Sequence, residues 1–598
     1  MAPQLQMERA PAELSPSVMT PAGLQEYAVL ARRRAVVLAL NVATYAGLLA
    51  LAAQVLSAGG WTVTGWLMFL AYAMGTPWVV LGFWNAALGL WLRHGRLDGL
   101  SEAAPFLAAG ETAAPLSVRT AIVLTIRNED ASRAVTRLAA VKDSVDATGE
   151  GAHFAYVVLS DSDSAHAPGE DAAVTGWKSG QGGPAPIIYR RREANTGYKA
   201  GNLQDFCAGI GAGYDLMVPL DADSLMTGPA ILKLVRIMQA YPKIGIVQSL
   251  VTGTPGSSAY TRLFQFGMRH GMRAYTMGQS WWTADCGPFW GHNAIVRIAP
   301  FGDECRLPEL DGGPPFGGHV MSHDQVEAAL MRAAGYEVRV SPEEGGSFED
   351  NPPSLLDYLK RDARWCHGNL QYTRLLDKLE LQPLSRFQLI WAILMFAGLP
   401  GWTAMMALLP AAAAHFSHVA QFPVGLAAGL YATHITMSLA PKLAGLADAA
   451  LTPGEIARFG GAARFCASAV CEIAFSLVHG AITSFSSTLV IAALLLRGRP
   501  VTWGPQARDA RRISWPEAAA ALWPQSAFGA AICLGLWAVS KPVLLWSLPI
   551  AAGYVLAVPF CVLTAGPRFG AWMVRSGLAG IPEDFAPPAE IIALNMAR

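Results

Sequence analysis

Long apolar runs on both sides of a charged central region constrain the fold of this chain most strongly. Residues 35–57 and 63–92 precede that region, and 387–412 follows it. Each run is long enough to cross about 30 Å of hydrocarbon as a helix. Charged residues make up only 15% of the 598 residues, as expected where charge is costly inside a bilayer. The sequence therefore predicts a membrane protein with one polar domain between two membrane-spanning parts.

The distribution of basic residues predicts the orientation and the domain boundaries. Basic residues cluster at 32–34 and 93–96, the outer ends of the first two apolar runs. Positive flanks favour the cytoplasm, so we expect the N-terminus and the region after residue 93 on that side. The predicted parts are a mobile N-terminal segment, a transmembrane hairpin, a cytoplasmic domain, a C-terminal transmembrane domain and a cytoplasmic tail. In that order they cover 1–31, 32–93, 94–385, 386–566 and 567–598.

The C-terminal transmembrane domain contains one stretch of unusual length. Residues 465–496 form an apolar stretch of about 32 residues, which is long for one span and short for two. Basic loops on both sides of it require an even number of crossings, so it is either two short spans or an interfacial or re-entrant segment. The chain then has six or eight spans in total, with both termini in the cytoplasm. The other predicted spans of this domain are 387–412, 422–441, 520–540 and 543–564.

Three ionisable side chains fall within the C-terminal apolar runs. They are His434, Glu472 and His479. Such groups usually face the interior of a helix bundle or a water-filled path. We expect Glu472 either to contact a polar chain that crosses the membrane or simply to lie near the membrane surface.

Composition argues against several classes of function. The formal net charge is zero, so there is no electrostatic basis for binding nucleic acid. The eight cysteines form no CxxC pair and lack the spacing of a zinc site, so we expect free thiols. About thirty polar residues precede the first apolar run, and no cleavable signal peptide is predicted.

The central region alternates strand and helix patterns. The segments 120–126, 155–161 and 214–224 are short, rich in apolar residues and end in polar ones, which is typical of buried parallel strands. A helical pattern follows at 227–240. Alternation of this kind predicts an α/β doubly wound sheet. Ligands bind such sheets beyond the carboxyl ends of the strands, where the polar residues lie.

The segment DADS supplies the central chemical signal. Asp221 and Asp223 lie one residue apart where a predicted strand ends. Two such carboxylates can bind Mg²⁺ or Mn²⁺ together with the diphosphate of a nucleotide sugar. The alternative is a pair of solvated loop carboxylates, which the position at a strand end disfavours.

Other polar residues near the predicted strand ends suit a nucleotide. Asp161 can accept hydrogen bonds from a base or ribose, although an aspartate there can also cap the next helix. Asn128 and Glu129 follow the first strand, where helix capping and nucleotide contact are equally open. Lys199, downstream of the arginines at 190–192, can bind phosphate, with a surface charge as the alternative.

Asp324 is the candidate catalytic base. It lies in SHDQVEAALMRAAGYEV, which predicts an amphipathic helix followed by a strand. A carboxylate in this place can take the proton of an attacking acceptor hydroxyl. The alternative role is an N-cap, and one residue can serve both purposes.

The segment RDARW precedes the second group of apolar runs. Arg364 can bind a pyrophosphate and stabilise it as a leaving group, and we place Arg361 with it at the nucleotide sugar. Trp365 offers a flat face to a sugar ring. The alternative is a juxtamembrane anchor, since arginine and tryptophan favour interfaces.

The segment WGHN adds candidate acceptor contacts. We predict that Trp290, His292 and Asn293 face the acceptor sugar. Trp281 and Trp282 add further aromatic surface, for which a sugar platform and a core position are equally open.

These signatures together resemble the inverting family 2 glycosyltransferases, and more closely the bacterial glucosyltransferases that make osmoregulated periplasmic glucans. The resemblance extends from about residue 30 to beyond 510. It implies a GT-A fold, UDP-glucose as donor, a divalent metal, and export of a largely β-1,2-linked glucose chain across the bacterial inner membrane. The segments that carry it are LSDS, YKAGN, DADSLMTG, GHNAIVR, SHDQVEAALMR, KRDARWCHGNL and WGPQARDARRISW.

The resemblance also implies roles for the acidic residues. Asp161 would contact the uridine, and Asp221 and Asp223 would bind the diphosphate and the metal. Asp324 would be the base, within SHD where cellulose and chitin synthases have TED.

The end of the family's QxxRW motif falls on Arg364 and Trp365. Arg361 stands where cellulose and chitin synthases have glutamine. The expected partners are the lipid bilayer, the growing β-glucan chain and periplasmic glucan-processing proteins. Nothing in the sequence indicates an oligomeric state.

Three alternatives stay open. A cellulose-like or other β-glycan synthase would use the same chemistry, although Arg361 and SHD argue against it. A non-enzymatic glycan transporter or scaffold would lack site residues, yet every expected carboxylate is present. A lipid-linked sugar transferase would release a single-sugar lipid and no polymer.

Overall fold

An eight-stranded sheet forms the centre of the polar domain between the two apolar parts. The computed structural model describes residues 21–180, 185–501 and 508–596. Its strands are β1 Thr120–Ile126, β2 Phe154–Ser160, β3 Ile187–Arg191, β4 Leu216–Asp221, β5 Leu225–Met226, β6 Ile244–Gly253, β7 Ala294–Arg297 and β8 Glu337–Glu349. Their order across the sheet is β3-β2-β1-β4-β7-β6-β8-β5.

The sheet is mixed rather than wholly parallel. β3, β2, β1 and β4 run parallel, with Thr120 of β1 opposite both Phe154 and Leu216. This half confirms the three predicted strands, whose continuous apolar sequences are buried on both faces. β7 instead pairs antiparallel with β4 and with β6. With only four residues, β7 is too short for its sequence pattern to predict a strand.

Helices cover both faces of the sheet. The helices of this domain are α3 Gly99–Ala103, α4 Ala131–Asp146, α5 Ala167–Gly180, α6 Tyr198–Ala208, α7 Gly228–Ala240, α8 Ala259–Thr283, α9 Ile298–Glu304, α10 Asp324–Ala333 and α11 Leu355–Gln371. The predicted helix at 227–240 is α7. One apolar core lies beneath α4 and α7, and a second beneath α6, α9 and α10.

α8 joins the sheet domain to the rest of the protein. Its buried arginines make ion pairs outside the sheet, Arg262 with Asp584 at 2.8 Å and Arg273 with Asp448 at 3.0 Å. Near its end the indole nitrogen of one tryptophan donates to Glu102 and that of the next donates to Asn85, both at 2.9 Å. Trp281 and Trp282 are therefore core residues and not a sugar platform.

Eleven helices form the two apolar parts of the described chain. They are α1 Pro21–Leu56, α2 Val63–His94, α12 Pro383–Ala397, α13 Leu399–Phe416, α14 Val424–Ser438, α15 Ala440–Leu451, α16 Glu455–Arg458, α17 Ala462–Arg497, α18 Trp515–Val539, α19 Lys541–Val555 and α20 Ala557–Thr564. Among the described residues five candidate spans are long and apolar enough to cross a membrane, namely α1, α2, α12 with α13, α17 and α18. The pair α19 and α20, bent by 58°, makes a sixth if it is one broken span.

Two predicted spans differ from the structure. The stretch 465–496 lies within the single unbroken helix α17, which excludes two short spans and a re-entrant loop. The predicted span 422–441 is divided between α14 and α15, because Pro441 begins a new helix. α14 has 15 residues, which is about 22 Å and too short to cross a bilayer alone.

Both ends of the chain are more ordered than predicted. Residues 21–31 belong to α1 rather than to a mobile segment, because the helix continues beyond its apolar part. Residues 1–20 of the predicted mobile segment lie outside the described residues. The predicted tail contains α21 Pro567–Ser576, α22 Pro582–Phe585 and α23 Ala589–Met596. Ile591 of α23 is buried in the apolar core beneath α4, so this segment is part of the sheet domain.

The ionisable side chains in the apolar helices have protein neighbours. Glu472 is fully buried, forms an ion pair with Lys442 and accepts a hydrogen bond from Ser476. Nε2 of His479 lies 2.8 Å from the hydroxyl of Tyr260. In this conformation Glu472 connects α17 to α15, and His479 connects α17 to α8.

Candidate active site

The polar residues that follow the parallel strands meet at one edge of the sheet. Asp221 ends β4, while Asn128 and Asp161 follow β1 and β2. The backbone amide of Asp161 donates to the carbonyl of Ile126 at 3.0 Å, and that of Asn128 donates to Oγ of Ser162 at 2.6 Å. The strands therefore bring the predicted donor residues together.

A polar cavity of about 560 Å³ opens beside Asp161. Its carboxylate accepts two hydrogen bonds from Arg192, at 2.7 and 2.9 Å. The next helix, α5, begins only at Ala167, so Asp161 does not cap it. The residues that line the cavity are Arg127, Asn128, Asp161, Ser162, Asp163, Ser164, Arg191, Arg192, Glu193 and Asn195.

The three polar residues after β1 have separate roles. Asp130 caps α4, since its side chain accepts from the amide of Arg133 at 3.1 Å. Asn128, with a φ of 55°, bonds through its side chain to Asp163 and so joins the loops after β1 and β2. Only Glu129 points towards the DADS segment, where burial raises its pKa despite a neighbouring arginine.

Cations neutralise both carboxylates of DADS. Lys199 forms an ion pair with Asp221 and donates to the carbonyl of Gly291 at 2.9 Å. Although burial opposes ionisation, Lys199 and His292 hold the pKa of Asp221 well below its usual range. Asp223 forms an ion pair with Arg508.

Arg508 reaches this site from the loop that follows α17. It contacts Asp223 and also lies 3.1 Å from a carboxylate oxygen of Glu129. Burial alone would lower the pKa of Arg508, but Asp223 and Glu129 raise it. From the sequence, this arginine was only one of several basic residues in a loop predicted to be cytoplasmic. Its contact with DADS was not predicted, because the two segments are far apart along the chain.

The segment before α11 adds carboxylates that the sequence did not reveal as site residues. Glu349 lies 3.5 Å from Nε2 of His292, and burial raises its pKa. Asp350 binds Arg137 at 2.7 Å, and Arg137 in turn donates to the carbonyl of Asp223 at 2.9 Å. Their only sequence signal was a short acidic pair at the end of a strand.

The WGHN segment is divided between buried and accessible side chains. Asn293 is fully buried with a φ of 50°, and its amide donates to Ser347 and to the carbonyl of Phe348. The amide of Asn293 is therefore bonded inside the sheet in this conformation, and its contact with the acceptor stays a prediction. Trp290 is half-buried, and its backbone amide donates to Gln248 at 2.8 Å.

Asp324 is the first residue of α10. The N-cap position is occupied by His323, so the alternative role of Asp324 as an N-cap is not observed. Burial raises the pKa of Asp324, and His323 opposes this effect. A carboxylate with a raised pKa is a stronger base than a solvated one.

α11 carries the RDARW segment. Arg364 is buried, and burial together with the nearby Arg361 and Arg508 lowers its pKa to about 10. The guanidinium of Arg361 lies over the ring of Trp365 at 4.6 Å and over Tyr358 at 5.5 Å. Arg361 is thus stacked between two aromatic rings, and its contact with the donor stays a prediction. Trp365 is 43% exposed.

The donor set of DADS fits a divalent cation bound jointly with a diphosphate. Within the described residues, no group of three or more histidine, cysteine, aspartate or glutamate side chains could by itself hold a metal ion. The guanidinium of Arg508 already bridges Asp223 and Glu129, which shows that this carboxylate pair accepts positive charge. Mg²⁺ is usually bound by one or two carboxylates plus substrate phosphates.

A family model and a solved structure are similar to this domain. The family model described as glycosyl transferase family group 2 matches residues 216–433, which include DADS, SHD and RDARW. A mannosyltransferase from Pyrobaculum calidifontis, solved in complex with GDP-Man and Mn2+, is similar at a TM-score of 0.37 and 18% identity, covering 64% of this chain and 98% of that chain. The mixed sheet and the family match identify a GT-A-like glycosyltransferase domain, which is flanked by candidate membrane helices.

Curated relatives cover nearly the whole chain. A protein of Xanthomonas campestris pv. campestris named glucans biosynthesis glucosyltransferase H is 33% identical over 563 residues, covering 91% of this chain and 86% of the relative. The protein of that name from Rhodopseudomonas palustris is 36% identical over 574 residues, covering 93% and 79%. The chain is a glycosyltransferase, and it belongs to the glucans biosynthesis glucosyltransferase H family.

Proposed function

We propose that this protein is an inner-membrane, processive, inverting glucosyltransferase that transfers glucose from UDP-glucose to a growing β-1,2-linked glucan. The product would be the backbone of osmoregulated periplasmic glucans, exported through the apolar helices while the catalytic domain and both termini lie in the cytoplasm. The observation that carries the proposal is the convergence of Asp221 and Asp324 at the Gly291 loop and of Asp223 and Arg364 around Arg508, in a member of this family.

The cavity beside Asp161 is the proposed site of the uridine. Its carboxylate and Arg192 supply an acceptor and a donor on one polar surface. The diphosphate would then extend towards Lys199 and Arg364. The lowered pKa of Arg364 reflects burial beside two other guanidinium groups, and a bound diphosphate would relieve that repulsion.

Glucosyl transfer is proposed to use Asp324 as general base. Its carboxylate takes the proton of the acceptor hydroxyl while that oxygen forms a bond to C1 of the glucose. The bond between C1 and the phosphate oxygen breaks on the opposite side, and its electron pair leaves with UDP. Attack opposite the leaving group inverts α-linked glucose to a β-linkage. Arg364 stabilises the charge that develops on the departing diphosphate.

A divalent cation is proposed at Asp221 and Asp223. When bound, Mg²⁺ or Mn²⁺ would neutralise charge on the diphosphate. The protein's own part is to present two carboxylates at the end of β4, one of which Arg137 orients through the backbone of Asp223.

The acceptor site is proposed at the membrane side of this cluster. Trp365, the aromatic residue of RDARW, is exposed, and its helix is bonded to α17 by Asp362, which accepts from Ser487 at 3.0 Å. A glucan that stacks on Trp365 would thus begin its path beside an apolar helix.

Replacing Asp324 with Asn tests the base assignment. The change preserves size but removes the proton acceptor, so we expect transfer to fall by at least about a hundredfold while UDP affinity is retained. Transfer is measured as incorporation of labelled glucose, and UDP affinity by calorimetry on the same detergent-solubilised sample. Transfer at the native rate by a folded Asp324→Asn protein would contradict the assignment.

A further inference from the structure

A histidine and a glutamate on α10 form a charged pair directly beside Asp324. Nδ1 of His323 lies 2.8 Å from Oε2 of Glu327. Glu327 is fully buried, and among the described residues its second carboxylate oxygen has no hydrogen-bond partner. A buried carboxylate needs a compensating charge, which His323 supplies. We infer that His323, paired with Glu327, is a positioning residue that keeps the carboxylate of Asp324 ionised for catalysis.

His323 and Asp324 face the same loop. A Cβ placed on Gly291 would lie 3.4 Å from Cβ of Asp324 and 3.4 Å from Cε1 of His323. The carbonyl of Gly291 accepts the hydrogen bond from Lys199 that connects this loop to Asp221. The imidazole therefore lies beside the base on the side of the donor cluster, and its charge acts on Asp324 directly.

The electrostatics of the pair agree with this geometry. Burial raises the pKa of Asp324, His323 lowers it and Glu327 raises it again. For His323, burial would lower the pKa, but Glu327 and then Asp324 raise it, with Lys199 opposing. The other titratable groups that face the pair are the buried side chains Cys207, Cys305 and Tyr372, whose pKa values Glu327 and Asp324 raise further.

The inference rests on the proposed role of Asp324 as base, and it makes a prediction about pH that a purely structural role does not. Without the positive charge of His323, the carboxylate of Asp324 would keep its proton up to a higher pH. The pH dependence of kcat/KM reports the ionisation of the free enzyme's base. Its acid limb should therefore move when His323 is neutralised.

A set of charge variants tests this inference in the full-length, detergent-solubilised protein with UDP-glucose. For His323→Gln we expect the acid limb of kcat/KM to move up by about one pH unit, which is about a tenfold loss below the limb that is recovered at higher pH. The double variant His323→Gln with Glu327→Gln removes both charges, so its limb should lie closer to that of the native protein. The matched control is His153→Gln, from a half-buried pair with Glu150 at 3.7 Å outside the site, which should leave the profile unchanged.

The outcomes separate this inference from the proposed function. If Asp324→Asn retains native transfer, the base assignment fails and the inference fails with it. If Asp324→Asn abolishes transfer but His323→Gln lowers kcat/KM equally at every pH, the pair is only structural and the inference alone is overturned. A double variant with the same limb as His323→Gln would also overturn it, because the charge of Glu327 would then have no effect.

Discussion

The acidic residues of DADS are paired with cations that come from distant parts of the sequence. Lys199 lies in the first turn of α6, and Arg508 follows the long helix α17. Each of these two residues balances the charge of a carboxylate that a bound metal ion would otherwise balance. Binding of the donor complex therefore competes with ion pairs that are already formed.

Replacement of Arg508 by Gln should strengthen metal binding. Without the guanidinium, Asp223 and Glu129 no longer have a competing positive charge, so we expect the affinity for Mn²⁺ to rise by about threefold to tenfold. Electron paramagnetic resonance of free Mn²⁺ measures this without turnover. Arg511→Gln is the matched control, since Arg511 pairs with Glu517 at 2.6 Å in the same loop. Equal Mn²⁺ affinity in the two variants would show that Arg508 does not compete for this site.

Sequence reasoning found the acidic residues of this site better than the basic ones. Asp161, Asp221 and Asp223 are near strand ends, so the topology of the sheet places them at one edge. Arg508 was not identified, because no local pattern connects a loop after a membrane helix with the end of β4. The stacking of Arg361 on Trp365 also depends on side-chain packing that no sequence spacing records.

At the scale of elements, α11 connects the catalytic domain to the apolar helices. Asp362 is buried on this helix and accepts a hydrogen bond from Ser487 of α17. The same helix carries Arg364 and Trp365. The contact between α11 and α17 therefore determines where the proposed phosphate and sugar contacts lie relative to the membrane helices.

Asp362→Asn should stabilise the protein at neutral pH. Burial raises the pKa of Asp362 to about 6, whereas an unfolded aspartate has a pKa of about 4. The folded state thus keeps a proton that the unfolded chain loses, and stability falls as pH rises from about 4 to 6. The variant removes this loss, which is about 3 kcal/mol, and still accepts from Ser487. Thermal unfolding in detergent at pH 4 and pH 7 measures the effect.

An exposed aspartate provides the control for that experiment. Asp377 is exposed in the segment after α11, and Asp377→Asn should not change how unfolding depends on pH. A pH dependence that is the same in the native protein and in Asp362→Asn would contradict the account of α11.

The predicted elements were correct where the local pattern was strong and wrong where packing decides. The strands at 120–126 and 155–161 and the helix at 227–240 appear within a residue or so of their predicted ends. The antiparallel β7 was not predicted, because four residues give no periodicity. The stretch 465–496 was predicted to form two short spans or an interfacial or re-entrant segment because of its length. α17 instead continues unbroken to Arg497, and its interfacial placement stays a prediction.

At the scale of the whole molecule, the C-terminal segment returns to the sheet domain. Arg269 of α8 binds Glu583 at 2.8 Å, and Ser144 of α4 binds Glu590. Along the chain, the last apolar helices therefore lie between two parts of the same domain. The even number of crossings stays a prediction, and the described residues contain five candidate spans, or six if α19 and α20 form one broken span.

Truncation of one buried side chain should show that packing of the C-terminal segment against α4 stabilises the protein. Ile591 is 4% exposed in the core beneath α4, and Ile591→Ala should cost about 2 to 4 kcal/mol of stability. Its neighbour Ile592 is 42% exposed, so Ile592→Ala should have little effect. Thermal unfolding of the two variants gives the comparison. Equal stability would mean that α23 does not contribute to the core.

Linkage analysis of the product made by the purified protein from labelled UDP-glucose and Mg²⁺ tests the central claim most directly. We predict a glucose polymer with mainly β-1,2 linkages, and no polymer from Asp324→Asn. A β-1,4-linked polymer, a single-sugar lipid, or no turnover of UDP-glucose by a folded sample would contradict the account.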